Sequence, residues 1–234
     1  MCGRMTLSAP PEEIIEKYKI QELRAQLKPR FNISPSQQIA AVTEEAEGRV
    51  LDGYRWGLIP SWADDAKIGY KMINAKCETV AEKPSYKKLL TSRRCIIPAD
   101  GFYEWKGEKP NKTPFHIHMK DRSVFGIAGL WSPWRPKGSD DPWLHTCTVI
   151  TTTNNELMAP IHDRMPVILD AEAAEAWLNP DLTEADQLLK YLRPYDSAAM
   201  EAVPVSRLLN NPKVDSPECM APDSSGGEVI VNSA

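Results

Sequence analysis

Apolar and polar positions alternate along the middle of the chain in short runs. Phe115, Ile117 and Met119 alternate with His116 and His118, which predicts a strand with one buried and one wet face. Similar runs, rich in β-branched and aromatic residues and bounded by Gly, Pro, Asn and Asp, predict strands over 38–42, 50–58, 95–99, 101–106, 114–119, 124–131 and 144–151. Helical spacing is confined to the two ends. Near the start, Ser8 is a candidate cap, Pro10 and Pro11 suit a first turn, and Glu12 and Glu13 suit the positive end of the dipole. Ile14, Ile15, Tyr18 and Leu23 would supply its buried face. Near the end, Asp170 is a cap for a helix over 171–178, stopped near Pro180. Thr183 and Asp186 resemble a capping box for another helix that ends before Pro194. The strands do not alternate regularly with helices, so a doubly wound parallel sheet is disfavoured. The pattern predicts an α+β fold of one domain over 1–214, with mostly antiparallel sheets curled around one core and a few peripheral helices. The stretch 215–234 carries Ser, Gly and Pro with four acids and no base, and reads as a disordered tail.

Composition narrows the class. With 234 residues the chain supports one well-buried core and is short for two ordinary domains. No run approaches the roughly 20 apolar residues that span a bilayer, and no apolar signal-peptide region opens the chain. A cytoplasmic, nucleoid-associated location and no membrane contact are expected. The five cysteines (Cys2, Cys77, Cys95, Cys147, Cys219) are odd in number, widely spaced and form no C-x-x-C pair. Neither a disulfide framework nor a structural zinc site is expected, and Cys77, Cys95 and Cys147 read as small buried hydrophobes. The net charge of −4 does not advertise nucleic acid, but from Ala66 to Arg94 eight basic residues face two acids, a local balance of +6.

The first residues carry a chemical possibility. If Met1 is removed, Cys2 becomes a 1,2-aminothiol. Its amine condenses with an aldehyde to an imine, and its thiol then closes a thiazolidine ring intramolecularly. An α-amine titrating near ~8 beside a thiol near ~8.5 leaves both reactive forms accessible at neutral pH. A Met-Cys-Gly start also fits an N-terminal-nucleophile amidohydrolase, whose amine serves as base for its own thiol. The Asn-Gly pair of those enzymes is absent from the sequence. A non-catalytic single-strand binding module is a further reading, and a peptidase acting in trans is disfavoured for want of an evident peptide groove. Three polar segments lie in apolar surroundings. Asn74, Lys76 and Glu78 fall in Ile73–Thr79; Glu104 sits between Tyr103 and Trp105; His162 is followed by Asp163 and Arg164. A carboxyl in apolar surroundings suits a general acid, and a histidine shuttles protons near neutrality. Trp56 and Trp62 near basic residues are what single-stranded nucleic acid uses for stacking, though tryptophans serve equally in cores.

Together these segments, read as MCGR, RFNISP, WGLIPSW, NAKCET, ADGFYEW, IHDRMP and PVS in this order from Met1 to about Ser206, resemble the SRAP family of SOS-response-associated peptidases, or abasic-site processing proteins. The resemblance implies a monomeric sensor of abasic sites in single-stranded DNA and at junctions of single and double strands. It would act in the DNA damage response through a thiazolidine crosslink that shields the lesion. The family's peptidase name implies autoproteolytic removal of the initiator methionine or a short leader. Neither metal nor organic cofactor is implied. Cys2 matches the covalent nucleophile, Asn74 the amide that orients amine and sugar, Glu104 the carboxyl that assists ring opening and imine formation, and His162 the proton-transfer residue. Arg4 and Lys76 match phosphate-contacting positions; Pro35, Trp56 and Trp62 fall around the DNA channel, and Arg164 is counted among the DNA-binding residues. Two departures stand out. Lys76 replaces a frequent arginine, which keeps charge but loses the bidentate fork. Ala63 follows Trp62 where some members have a second tryptophan.

Overall fold

The computed structural model describes residues 2–108, 110–223, 225 and 227–232. Met1, on whose removal the aminothiol depends, lies outside them. In chain order the elements are β1 (Met5–Leu7), α1 (Pro11–Tyr18), β2 (Ile20–Leu23), β3 (Arg30–Ile33), β4 (Gln38–Glu45), β5 (Gly48–Trp56), β6 (Asn74–Lys76), α2 (Pro84–Ser92), β7 (Arg94–Ala99), β8 (Gly101–Lys106), β9 (Thr113–Met119), β10 (Phe125–Trp134), β11 (Leu144–Thr153), β12 (Arg164–Pro166), β13 (Ile168–Leu169), α3 (Ala171–Leu178), α4 (Ala185–Leu189), β14 (Met200–Pro204) and β15 (Ile230–Val231).

Two sheets organise the chain. The smaller runs β15-β14-β9-β8-β1-β3. The larger runs β12-β11-β10-β7-β4-β5-β2, with β6 added beside β11 and β13 beside β10. Thr146 and Cys147 of β11 also pair in parallel with Arg55 and Trp56 of β5. That pairing closes β5, β4, β7, β10 and β11 into a ring and removes their edges. Most pairings are antiparallel, and the curled, mostly antiparallel sheets with peripheral helices are those expected from the strand pattern. Val42, Leu51, Tyr54, Trp56, Ile96, Leu130, Cys147 and Val149 belong to one buried cluster that extends to Met5, Phe102 and Ile117 of the smaller sheet. Cys95 and Cys147 are buried and Cys77 half-buried, all as free thiols.

The sheets are stitched where β7 ends and β8 begins. Asp100, between them, accepts hydrogen bonds from the amides of Ser8 (2.6 Å) and Ala9 (2.9 Å) and from the Ser8 hydroxyl (2.6 Å). Ser8 does not cap α1: the helix starts at Pro11, Pro10 takes the cap position with no side-chain bond, and Ser8, two residues earlier, turns its hydroxyl to Asp100. Gly101 next to Asp100 is required by close approach: a Cβ there would lie 1.9 Å from His116 Nε2.

Other local expectations are corrected. Helix α1 stops at Lys19, in the left-handed region at φ 52°, so Leu23 falls on β2 and is exposed. Helix α4 begins at Ala185 behind Glu184 with no side-chain cap, so Thr183 and Asp186 do not form the expected box. Asp170 does cap α3, accepting from the Ala173 amide. The face of β9 read as wet is buried: His116 lies 3.2 Å from Thr6 Oγ1 and His118 Nε2 3.5 Å from Glu201. Burial holds the His116 imidazole neutral, with its pKa lowered to about 3. Within 215–234, read as a tail, Asp215 accepts from the amides of Phe31 and Asn32, Cys219 is buried, and β15 pairs with β14.

Candidate active site at the seam of the two sheets

Strand β1 runs antiparallel to β8, with Met5 opposite Phe102 and the Tyr103 amide donating to Arg4 O at 2.9 Å. Continuing this register brings Cys2 and Gly3 alongside Glu104. The Cys2 side chain is fully buried, and Glu104 nearly so. From the larger sheet, β6 adds Asn74 through its pairing with Val149 of β11. Asn74 Nδ2 donates to the Cys2 carbonyl at 2.8 Å and so joins the two sheets. Asn74 Oδ1 is buried with no hydrogen-bond partner among the described residues. An acceptor in that condition is costly unless a donor arrives.

Electrostatics bind the group together. Burial, reinforced by the neighbouring Glu104 carboxylate, pushes the Cys2 thiol well above its ordinary pKa. Burial likewise raises Glu104, opposed by the charge of His162. Glu104 therefore holds a proton at a pH where an ordinary carboxyl has lost it, which suits a general acid.

His162 is partly exposed and sits on a tight turn. Its amide donates to Met158 O at 2.9 Å, and its carbonyl accepts from Asn154 Nδ2 at 3.0 Å. The Arg164 amide donates to His162 Nδ1 at 3.0 Å, which assigns the neutral ring's proton to Nε2. Asp163 Oδ1 lies 2.9 Å from the same Nδ1. An imidazole that takes a proton at Nδ1 gains an ion pair with Asp163 and can then release the one on Nε2.

The expected DNA-contacting residues divide into free and occupied groups. Lys76 is exposed, two residues from Asn74 and so on the same face of β6, and Trp62 is 55% exposed. Trp56 is fully buried and donates from Nε1 to Ile73 O at 2.9 Å. It belongs to the core, and a base could not stack on it without opening the ring of strands. Pro35 lies in the β3–β4 loop, pinned by the Ser36 amide to Trp56 O at 2.8 Å. Arg4 is half-buried, donates from Nη1 to Asn32 Oδ1 (2.6 Å) and Leu209 O (2.5 Å), and lies over the Trp105 ring. Arg164 is buried and forms a fork with Glu78, at 2.5 and 3.0 Å, while Nη2 also reaches Thr151 O at 2.7 Å. In the basic window, Arg94 is also occupied, donating to the carbonyls of Trp177, Leu90 and Asn179. Ala63 is buried, and its carbonyl accepts from Trp134 Nε1 at 2.7 Å.

Two residues of the quoted motifs were given no role by the resemblance. Asn32, in RFNISP, is buried and donates to three carbonyls, those of Leu209, Asn211 and Val214. Glu78, in NAKCET, ties the segment carrying Asn74 to the one carrying His162. Their motifs were visible, but partners 86 or more residues away were not.

The two curled sheets thus bring Cys2, Asn74 and Glu104 together at one seam. The chain belongs to the SOS response associated peptidase (SRAP) family, which it matches over residues 1–212. It is 50% identical over 222 residues to the abasic site processing protein YoqW of Bacillus subtilis (strain 168), covering 93% of this chain and 98% of that one. It is 31% identical over 264 residues to the abasic site processing protein HMCES of Xenopus tropicalis, covering 94% and 78%. Among solved structures, a Bacteroides thetaiotaomicron protein superposes with a TM-score of 0.84 at 28% identity, covering 95% of this chain and 100% of that one. No helix among the described residues is long and apolar enough to cross a membrane.

Proposed function

We propose that the chain, once Met1 is removed, captures abasic sites in single-stranded DNA as a covalent thiazolidine on Cys2. The observation that carries this reading is the Asn74 amide. One end holds the Cys2 carbonyl, and the other is a buried acceptor without a partner, which the amine created by removal of Met1 would satisfy. The relatives' naming as abasic site processing proteins supports the substrate.

The chemistry follows from the environment. The thiol is held neutral by burial, so the amine attacks first. The amine adds to the open-chain sugar aldehyde and forms a carbinolamine. Glu104 protonates the departing hydroxyl, water leaves, and an iminium remains. The Cys2 sulfur then adds to the iminium carbon and passes its proton to the Glu104 carboxylate, which restores the acid. The balance is one amine, one thiol and one aldehyde converted to one thiazolidine and one water. His162 serves the proton transfers that open the sugar ring, through Nε2. Exposed Lys76 draws the flanking phosphates, and binding weakens with salt. The autoprocessing that exposes Cys2 is assigned to the same site, since its amine must be freed there. The protein acts as a monomer at DNA in the cytoplasm.

The test is a denaturing gel of mature protein with a single-stranded oligonucleotide carrying one abasic site, beside a Cys2→Ala control. A band that survives denaturation and vanishes in the control is expected. No band, with Met1 confirmed absent by mass spectrometry, overturns the reading in favour of an amidohydrolase or a plain binding module.

A further inference from the structure

His162 lies between two anchored stretches of chain. Before it, Leu157 and Met158 are fully buried and Ile161 nearly so, all within the main core cluster. After it, the Arg164 side chain is held by Glu78 and the Thr151 carbonyl, and Arg164 pairs with Thr153 in the larger sheet. His162 itself is half-buried and Asp163 exposed. Apolar burial therefore does not fix the two residues that carry the proton-transfer ring and its acid, and hydrogen bonds must.

Two neighbouring asparagines at the end of β11 supply such bonds. Asn155 secures the start of the loop: its Oδ1 accepts from the Met158 amide at 3.0 Å, and its Nδ2 donates to Tyr195 O at 2.8 Å. Asn154 secures the end. Its backbone amide donates to Asp163 O at 3.2 Å, and its Nδ2 donates to His162 O at 3.0 Å. The His162 amide in turn donates to Met158 O at 2.9 Å. Both peptide groups that flank the His162 Cα are thus held, which fixes its two backbone dihedrals. The ring keeps only its side-chain torsions, and the Arg164 amide donating to Nδ1 at 3.0 Å restrains those.

We infer that Asn154 is a positioning residue for the proton-transfer step: its side-chain amide holds the peptide that follows His162, and so keeps the imidazole in the orientation and tautomer that transfer through Nε2 requires. The inference rests on the proposed part of His162 in abasic-site capture. Asn154 acts through His162 and needs no contact with the DNA. Alanine at 154 would leave the His162 carbonyl without this donor. Aspartate, of nearly the same shape, would set a carboxylate oxygen against that carbonyl. Either change frees the peptide between His162 and Asp163 while the core residues on one side and Arg164 on the other stay anchored.

The experiment uses mature protein, Asn154→Ala and Asn154→Asp, each also combined with His162→Ala. Single-turnover crosslinking to an abasic single-stranded oligonucleotide is followed across DNA concentrations, which separates the rate at saturation from the concentration that gives half of it. The saturating rate should fall about tenfold in both variants, the scale of a modest misplacement of a reacting group, with half-saturation unchanged. Neither substitution should slow His162→Ala further, because two residues acting through one group are not additive. Nitrogen NMR of histidine-labelled protein without DNA gives a second readout: one His162 tautomer, protonated at Nε2, in the parent and a mixture of tautomers in both variants. A saturating rate within about twofold of the parent, a full loss that persists in the His162→Ala background, or a tautomer unchanged in both variants overturns the inference. If the unaltered protein forms no crosslink, the capture reading falls, and the tautomer spectra alone then decide whether Asn154 positions His162.

Discussion

Replacing Glu78 by Gln tests whether the two motifs that carry Asn74 and His162 are held together by one ion pair. The Arg164 side chain is 10% exposed and that of Glu78 46%, so the pair is buried at one end and wet at the other. Removing one partner of a fully buried pair costs about 3–5 kcal/mol, and a surface pair is worth about 0–1. With one partner half in solvent, and with the Thr151 carbonyl still accepting from Arg164, the expected loss is about 1.5–2.5 kcal/mol. For a domain of this size that lowers Tm by roughly 3–10 °C. The dependence on pH has a definite sign. Arg164 holds the Glu78 carboxyl at a pKa of about 2, below its usual 4.5. The stabilisation is present above the unfolded pKa and is lost as pH falls from about 5 toward 2. Urea denaturation of both proteins at pH 7, 5 and 3.5 should therefore show a gap that is constant from 7 to 5 and narrower at 3.5. A gap below about 0.5 kcal/mol at pH 7, the scatter of ordinary surface substitutions, would refute the argument, as would a gap that does not narrow.

Asn74→Ala removes the bond to the Cys2 carbonyl. It should cost about 1 kcal/mol in stability, while the single-turnover crosslinking rate falls at least ~10-fold because the amine loses its orientation. Glu104→Gln should slow crosslinking by roughly 10²–10⁴, the usual contribution of a general acid. The folded state holds the Glu104 proton more tightly than the unfolded chain, so this carboxyl destabilises the fold as pH rises toward its raised pKa. Accordingly, the Gln variant should melt no lower than the parent at pH 7, and a clear drop in Tm would contradict the burial argument. Lys76→Ala should weaken non-covalent binding to single-stranded DNA and reduce the slope of log affinity against log salt by about 1, measured by anisotropy across a salt titration.

The strands were legible because their alternation and turn residues are local. All seven segments of the middle region fall on observed strands, and Gly101–Lys106 has the bounds expected. Short strands such as β6 and β12, at three residues, carry no periodicity of their own and exist because β11 offers them an edge. Helix α2, in the basic window, was missed for a related reason: its Pro84 start lacks a capping side chain. Charge counting over that window also overstated its reach, since Arg94 spends its donors on three interior carbonyls. Cys2, Asn74, Glu104 and His162 were readable as chemically apt residues in their motifs. That Trp56 is core and that Arg4 and Arg164 already have partners depends on contacts made by chain closure, which no local pattern contains.

Intact-mass spectrometry of mature protein after incubation with an abasic oligonucleotide tests the central claim most directly. The account predicts a product equal to the sum of the two masses less one water, formed without reductant, stable to denaturation and mapped by digestion to Cys2. Under the same conditions Cys2→Ala should give only an imine that needs borohydride to persist. A product of that mass attached elsewhere, or an equally stable product from Cys2→Ala, would contradict the aminothiol mechanism.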